Sequence, residues 1–223
     1  MSNRSVLSYF KNRIHPKYLK LIKPRSDRLS SWFIEQESTA LFVRIRNWID
    51  FPKHYEPSEL VSFHYDYVSM VVDTVIANEG TFDQFNGDEV VAIFGAPIEQ
   101  TRHAHNACEC LLQVRSEFAR LLSRLEKVKE ILTIEAGMNS GPFSCGFLGP
   151  KNFPRYTMMG DQVNIAARCL SASNQFGTWN LVGNRSVELC QAEYGFRRIG
   201  EFKIPTHPGT MDFHELTHRK SEG

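Results

Sequence analysis

The chain has 223 residues, of which 42% are hydrophobic and 23% are charged, and 26 Lys plus Arg against 25 Asp plus Glu leave a formal net charge of +1. This composition is typical of a globular domain and excludes a disordered or fibrous chain. It also lacks the strong basic excess of a polynucleotide-binding surface, so we expect no nucleic-acid partner.

The sequence predicts a cytoplasmic protein that does not enter a membrane. No apolar run approaches the roughly 18 residues of a membrane span, and the first residues lack the apolar core of a signal peptide. The five cysteines are odd in number and show no Cys-x-x-Cys or zinc-site spacing. We therefore expect them to be reduced thiols.

Composition and punctuation divide the chain into three segments. Residues 1–36 are basic, with apolar positions at helical spacing that prolines interrupt, and are predicted to form a helical N-terminal extension. Residues 37–218 are predicted to form one catalytic domain, and residues 219–223 a C-terminal tail.

The hydrophobic pattern predicts alternating strands and helices from residue 39 onward. In chain order these are a buried strand at 39–45, a helix at 58–78, a strand, turn and strand over 81–94, a helix at 105–128, a strand at 131–139 with a hairpin partner at 144–149, a loop, a helix after 158–161 that runs to 170, and strands at 178–183 and 196–216 around a helix at 184–192. This order predicts an α+β fold with helices packed on a largely antiparallel sheet.

The turn Phe85-Asn86-Gly87-Asp88 is the first candidate site. An Asn-Gly pair between apolar strands is a strong hairpin signal, and it places the carboxylate of Asp88 on a rigid turn. Carboxylate oxygens held in this way suit a hard divalent cation that carries a nucleotide's phosphates. The same turn is also common as a solvated loop.

A second candidate site is the predicted helix that follows Gly160-Asp161. Asn164 and Arg168 are four residues apart and share one helix face. An amide and a guanidinium that project together can hold a ribose and a transferring phosphate. The alternative is an ordinary surface pair.

Together these segments resemble the catalytic domain of class III nucleotidyl cyclases. The resemblance runs from about Thr39 to Leu216, and its matching blocks occur in the family's order. They are Leu41-Phe42-Val43-Arg44-Ile45-Arg46, Phe85-Asn86-Gly87-Asp88 with Phe94-Gly95-Ala96-Pro97, Gly137-Met138-Asn139-Ser140-Gly141, and Met159-Gly160-Asp161-Gln162-Val163-Asn164-Ile165-Ala166-Ala167-Arg168. The resemblance implies a ferredoxin-like core, Mn²⁺ or Mg²⁺ as cofactor, and a homodimer with active sites at the subunit interface.

The resemblance also implies roles for individual residues. Asp88 matches the second of the family's two metal-binding aspartates, Asn164 the residue that orients the ribose, and Arg168 the residue that stabilises charge on the α-phosphate. Thr157 stands at a base-contacting position. Lys203 lies near the position of a phosphate-binding lysine, where Pro205 and His207 make the register uncertain.

Two positions depart from the purine cyclases. Arg44 stands at the first metal-binding aspartate, and Gln84 stands at the lysine that selects adenine. A guanidinium about 4 Å from a divalent cation replaces attraction with repulsion, so two ions in the usual arrangement are disfavoured by several kcal/mol. One ion held by Asp88 and a backbone oxygen of Ile45 is the alternative, with Arg44 directed to base or phosphate.

The bacterial pyrimidine cyclases of antiviral defence resemble this pattern more closely. Their (Arg/Tyr)-x-Arg motif on the first strand fits Arg44-Ile45-Arg46, and uracil offers two carbonyl acceptors that an Arg or the amide of Gln84 can satisfy. We therefore expect a pyrimidine cyclase that converts UTP, or less readily CTP, to the 3′,5′-cyclic monophosphate. Arg44, Arg46, Gln84, Thr157 and Lys203 would bind substrate. A divergent purine cyclase and a non-catalytic dimerisation module remain as alternatives.

Overall fold

A computed structural model describes residues 3–22, 33–53, 55–125, 131–150, 153–203 and 209–221. The helices are α1 (Asn3–Phe10), α2 (Pro16–Leu19), α3 (Pro57–Ala77), α4 (His103–Leu122), α5 (Asp161–Ser173) and α6 (Asn184–Cys190). The strands are β1 (Ile34–Arg46), β2 (Thr81–Asn86), β3 (Glu89–Phe94), β4 (Thr133–Leu148), β5 (Arg155–Met159), β6 (Asn180–Gly183), β7 (Tyr194–Lys203) and β8 (Thr210–Arg219).

The strands form one mixed sheet in the order β2-β3-β1-β4-β6-β8-β7, with β5 paired to β4. Only the β4–β6 pairing is parallel among these described strands. The first four strands with α3 and α4 run β-α-β-β-α-β in chain order, and their spatial order is that of a ferredoxin-like core. The predicted α+β class, with a largely antiparallel sheet and packed helices, is confirmed.

Strand β1 lies inside the sheet, between β3 and β4, and contributes to a core on each side. Successive side chains of a strand point to opposite faces. Leu41 and Val43 pack in the cluster with α3 and α4, whereas Ala40 and Phe42 pack in the cluster with α1 and α5. Residues of even number near the end of β1 therefore lie on the α5 face, and this positions the two arginines of the candidate site.

The predicted hairpin at 131–139 and 144–149 is wrong, because β4 is one continuous strand of 16 residues. The predicted turn falls on residues 140–143, which include Gly141 and Pro142, but β1 is 13 residues long and pairs with β4 along its whole length, from Ile34 opposite Cys145 to Arg46 opposite Thr133. A long partner keeps the chain extended through residues that alone favour a turn.

Smaller differences concern loops that the sequence left without structure. The loop predicted before α5 contains β5, which pairs with β4. The strand structure predicted over 196–216 consists of two antiparallel strands, β7 and β8. The helix predicted to reach Val128 ends at Leu122; Val128, Pro205 and His207 lie outside the described residues.

The N-terminal residues pack against the sheet. Phe10 is fully buried in the α5-side core, and Ile14 forms a β-bridge with Thr81 at the start of β2. Arg13 donates a hydrogen bond of 2.7 Å to the backbone oxygen of Asp83. Residues 3–22 are thus attached to the strand that precedes the Asp88 turn. None of the described helices is long and apolar enough to cross a membrane.

Candidate active site

Asp88 lies in a two-residue turn between β2 and β3. Gly87 has a φ of +58°, a conformation that glycine adopts without steric cost. The Oδ2 atom of Asp88 accepts a hydrogen bond of 3.0 Å from the backbone N–H of Ile45 on β1. Burial raises the pKa of Asp88, while this hydrogen bond and the nearby Arg44 and His64 act against the rise. The carboxylate is therefore fixed in orientation at the end of β1.

Arg44 and Arg46 lie on the α5 face of β1 and share one partner, Glu135 of β4. Arg44 Nε is 2.8 Å from Glu135 Oε2, and Arg46 Nε donates to Glu135 Oε1. Arg46 also donates through Nη2 to the backbone oxygen of Thr178, at 2.6 Å. The Glu135 side chain is 2% exposed and that of Arg44 34%. A buried carboxylate between two guanidinium groups is the arrangement in which charge burial is best compensated.

This ion pair changes the interpretation of Arg44. The sequence pointed to a bound nucleotide as the partner of a guanidinium in an apolar strand, but the partner is Glu135 of the same chain. Among the described residues Arg44 uses only Nε for hydrogen bonding. Arg44 lines a pocket with Asp88, Ile45 and Arg46. Sequence analysis missed Glu135, which stands out only as a charge within an apolar strand.

Thr157 on β5 is hydrogen-bonded to Asp83 on β2. Thr157 Oγ1 lies 2.8 Å from Asp83 Oδ2, and Arg155 Nε lies 3.8 Å from Asp83 Oδ1. The ladder between β2 and β3 is irregular between Phe82 and Gln84, that is, around Asp83. Burial raises the pKa of Asp83, and the Thr157 hydrogen bond and Arg155 act against the rise. Sequence analysis also missed Asp83, although a carboxylate in a strand was the available signal.

Gln84 follows Asp83 on β2, opposite Val91 of β3, and is half-buried. Its side chain makes no hydrogen bond to another described residue. Asp83 therefore connects the two positions that the resemblance assigns to base contact: it precedes Gln84 in the chain and is hydrogen-bonded to Thr157.

Arg168 and Lys203 line the same cavity, of about 390 Å³, between α5 and the β7–β8 strands. The two residues are far apart in the chain, and the fold brings them together at the end of β7. The remaining walls are mainly apolar, with Phe202 and Phe213 among them. Asn164 lies one helical turn before Arg168 on α5. Two cations beside one cavity suit the negative charge of a polyphosphate.

The Asp88 pocket and the Arg168 cavity share no lining residue among those described. They are adjacent, since Asn174 lines the first and Gln175 lines the second. The chain thus holds two separate groups of predicted residues, one at the Asp88 pocket and one at the Arg168 cavity.

The donor set at Asp88 fits one divalent cation and does not fit two. The described residues contain no group of three or more His, Cys, Asp or Glu that could hold a metal ion. Because the Ile45 N–H points toward Asp88, the Ile45 carbonyl lies on the same side of β1. One carboxylate and one carbonyl, completed by substrate phosphates and water, suit Mg²⁺ or Mn²⁺. The guanidinium of Arg44 opposes a second ion.

Residues 34–218 match the sequence model of the family described as the adenylate and guanylate cyclase catalytic domain. The chain belongs to this family. Adenylate cyclase 1 of Rhizobium meliloti is 33% identical to it over 183 residues, which is 81% of this chain and 27% of that protein. Receptor-type guanylate cyclase gcy-10 of Caenorhabditis elegans is 29% identical over 84% of this chain and 18% of its own length. The chain thus spans about a quarter or less of these relatives.

Solved cyclase domains have the same fold. The adenylyl cyclase CyaB from P. aeruginosa superposes with a TM-score of 0.76 at 22% identity, over 84% of this chain and 97% of that one. The guanylyl cyclase Cya2 gives 0.73 at 19%, over 84% and 94%. These similarities support the class III cyclase fold. The relatives and structures named here are adenylate or guanylate cyclases, and they lend no support to the pyrimidine and antiviral subtype that the Arg44-Ile45-Arg46 pattern suggested.

Proposed function

We propose that this domain is a purine nucleotide cyclase that converts ATP to 3′,5′-cyclic AMP and pyrophosphate as a homodimer. The two active sites would lie at the subunit interface, each with Asp88 of one subunit and Asn164 and Arg168 of the other. The convergence of Arg168 and Lys203 on one cavity carries the proposal. A paired cationic site of this kind suits the phosphates of a nucleoside triphosphate.

The reaction requires the ribose 3′-oxygen to attack the α-phosphorus in line with the departing pyrophosphate. Asn164 would orient the ribose, and Arg168 would stabilise the charge that develops on the α-phosphate. Lys203 would hold the outer phosphates. A divalent cation held by Asp88 and the Ile45 carbonyl would neutralise phosphate charge when bound.

Arg44 would supply positive charge at the position where the family has the first of its two metal-binding aspartates. Glu135 holds its Nε, so the guanidinium is fixed at the pocket before substrate arrives. A fixed cation needs little reorganisation when charge develops on a phosphate. In this interpretation Arg44 and one metal ion together replace two metal ions.

A UTP cyclase and a non-catalytic module are the competing functions. The UTP hypothesis rests on Arg44, Arg46 and Gln84, but both arginines have a structural partner in Glu135. That partner explains the pattern without a pyrimidine ligand. The non-catalytic hypothesis predicts no turnover of any nucleotide.

The test is incubation of the purified protein with ATP, GTP, CTP or UTP and Mn²⁺, followed by identification of products by mass. We expect 3′,5′-cyclic AMP as the main product. A UTP preference would favour the pyrimidine hypothesis. Absence of every cyclic product, with the dimer intact, would favour the non-catalytic module.

A further inference from the structure

Asp83 is a buried carboxylate that the proposed reaction does not use. It is 2% exposed, and burying a charged group is costly unless partners compensate for the lost hydration. Its Oδ1 atom is shielded from solvent and accepts no hydrogen bond from a described residue. This burial cost suggests that Asp83 has a role in positioning its neighbours Gln84 and Thr157, the two candidate base-contacting residues.

The surroundings of Asp83 fix its side chain and its backbone. Thr157 Oγ1 lies 2.8 Å from Oδ2, and Arg155 Nε lies 3.8 Å from Oδ1. Arg13 of the N-terminal segment donates to the Asp83 backbone oxygen at 2.7 Å. Asp83 thus has little freedom to turn away from Thr157.

An ionised carboxylate only accepts hydrogen bonds, and a hydroxyl has one proton to donate. The bond between these groups therefore assigns the Thr157 proton to Asp83. Thr157 Oγ1 can then act only as a hydrogen-bond acceptor toward a ligand. Because Thr157 is half-buried, part of its side chain is accessible to such a ligand. A base amino group can donate to that oxygen, whereas a base carbonyl in the same place finds no donor.

We propose, on the basis of the proposed function, that Asp83 is a positioning residue that fixes the Thr157 hydroxyl as an acceptor and so selects a nucleobase with an amino group at C6 of a purine or C4 of a pyrimidine. Adenine and cytosine carry an amino group at these positions, whereas guanine and uracil carry a carbonyl oxygen there. The selection acts through Thr157, since the Asp83 carboxylate is itself out of reach of a ligand. Neither Gln84 nor Arg44 is needed for it.

The test measures binding of 2′,3′-dideoxy forms of ATP, CTP, GTP and UTP at pH 8, with Mg²⁺. These nucleotides lack the 3′-hydroxyl and cannot be cyclised, so the readout does not depend on turnover. In the wild type we expect the dideoxy forms of ATP and CTP to bind roughly three- to tenfold more tightly than those of GTP and UTP, the value of one hydrogen bond. The four arms also show whether the ligand is a purine or a pyrimidine.

The decisive variant is Asp83→Asn. Repulsion between the amide nitrogen and Arg155 favours the orientation that turns Nδ2 toward Thr157, where it donates to the hydroxyl oxygen. The Thr157 proton is then free to face the base, and the amino preference should fall to about onefold or invert. Asp73→Asn on the exposed face of α3 is the matched control and should keep the wild-type ratios.

The double variant separates positioning from a general structural effect. Thr157→Val should abolish the preference, and Asp83→Asn should add nothing in that background. Equal affinity of the wild type for all four bases, no binding of any of them, or the same ratio in Asp83→Asn would overturn the proposal. Binding with the predicted preference but no turnover of ATP would leave it intact and overturn the proposed cyclase activity.

Discussion

Arg44 Nε and Glu135 Oε2 lie 2.8 Å apart on strand positions that face each other directly in the β1–β4 ladder. The pair joins an arginine at the position where the resemblance implies a metal-binding aspartate to a carboxylate that is 2% exposed. The arginine at this position is therefore part of a built ion pair. The end of β1 is consequently a charged, ordered region, which a simple loss of function does not require.

Glu135→Gln should destabilise the domain by about 3 kcal/mol, because it leaves two partly buried guanidinium groups without their shared counter-charge. The free energy of unfolding in urea measures the loss. Glu188→Gln, at an exposed pair with Arg185, is the control and should cost less than about 1 kcal/mol. Equal effects of the two substitutions would show that the Glu135 network does not stabilise the fold.

Arg44→Asp alone should destabilise the domain by about 2 kcal/mol, because it places a carboxylate opposite Glu135. Combined with Glu135→Gln, the Arg44→Asp substitution should cost less, since the double variant has one carboxylate instead of two at this point of the β1–β4 ladder and keeps Arg46 as the neighbouring cation. A double-mutant cycle in urea measures the coupling.

The same double variant should turn over ATP faster than the wild type, because a second metal-binding carboxylate then stands beside Asp88. Turnover with Mn²⁺, assayed on folded protein, is the measurement.

The stability prediction has its own contrary outcome. If the single Arg44→Asp variant were as stable as the wild type, the assumed repulsion between the introduced carboxylate and Glu135 would be absent.

Mixing inactive Asp88→Ala chains with inactive Arg168→Ala chains should restore about a quarter of wild-type ATP turnover. About half of the dimers are then mixed, and each mixed dimer has one intact site of two. Turnover is followed after subunit exchange has been verified by mass or fluorescence. No recovery despite complete exchange would contradict sites shared between subunits.

The stability of the domain should fall as the pH drops below the ordinary histidine range, through His103. His103 Nδ1 lies 2.7 Å from Thr39 Oγ1; Glu37, Arg185 and His105 are its charged or titratable neighbours. Burial lowers the pKa of His103 from 6.5. The unfolded state therefore takes up the proton first, so stability is complete above pH 6.5 and declines as the pH falls toward the folded-state pKa.

Thermal unfolding between pH 8 and pH 5 tests this dependence. His103→Gln should show a smaller decline across that range, because the titrating group is gone. His218→Gln, at an exposed position, serves as the control and should follow the wild-type curve. An unchanged slope in the His103 variant would assign the pH dependence to other groups.

The sequence was sufficient for the parts of the fold that depend on local signals. The apolar periodicity of α3, the Asn-Gly turn before Asp88, and the Gly160-Asp161 pair before α5 each predicted an element at nearly its observed place. It failed where a distant partner decides the outcome. Gly141 and Pro142 remain in a strand only because β1 pairs with them.

The candidate site shows the same division. Asp88 and Arg168 were identified from motifs that are contiguous in the chain. Glu135 and Asp83 were missed because their meaning depends on register: each becomes informative only when it is placed beside Arg44 or Thr157, which lie on other strands. A charge inside an apolar strand was the available signal, and it does not name its partner.

The length of the β1–β4 ladder also bears on how the domain folds. Its partners are far apart in sequence, so the ladder carries a large loop-closure cost and favours slow folding. At synthesis rates of about 5–20 residues per second, β1 waits several seconds for β4 to be made. During that time β3, which is nearer in the chain, can pair with only one edge of β1. The other edge stays open to wrong partners, which makes the interval before β4 emerges the period of greatest aggregation risk.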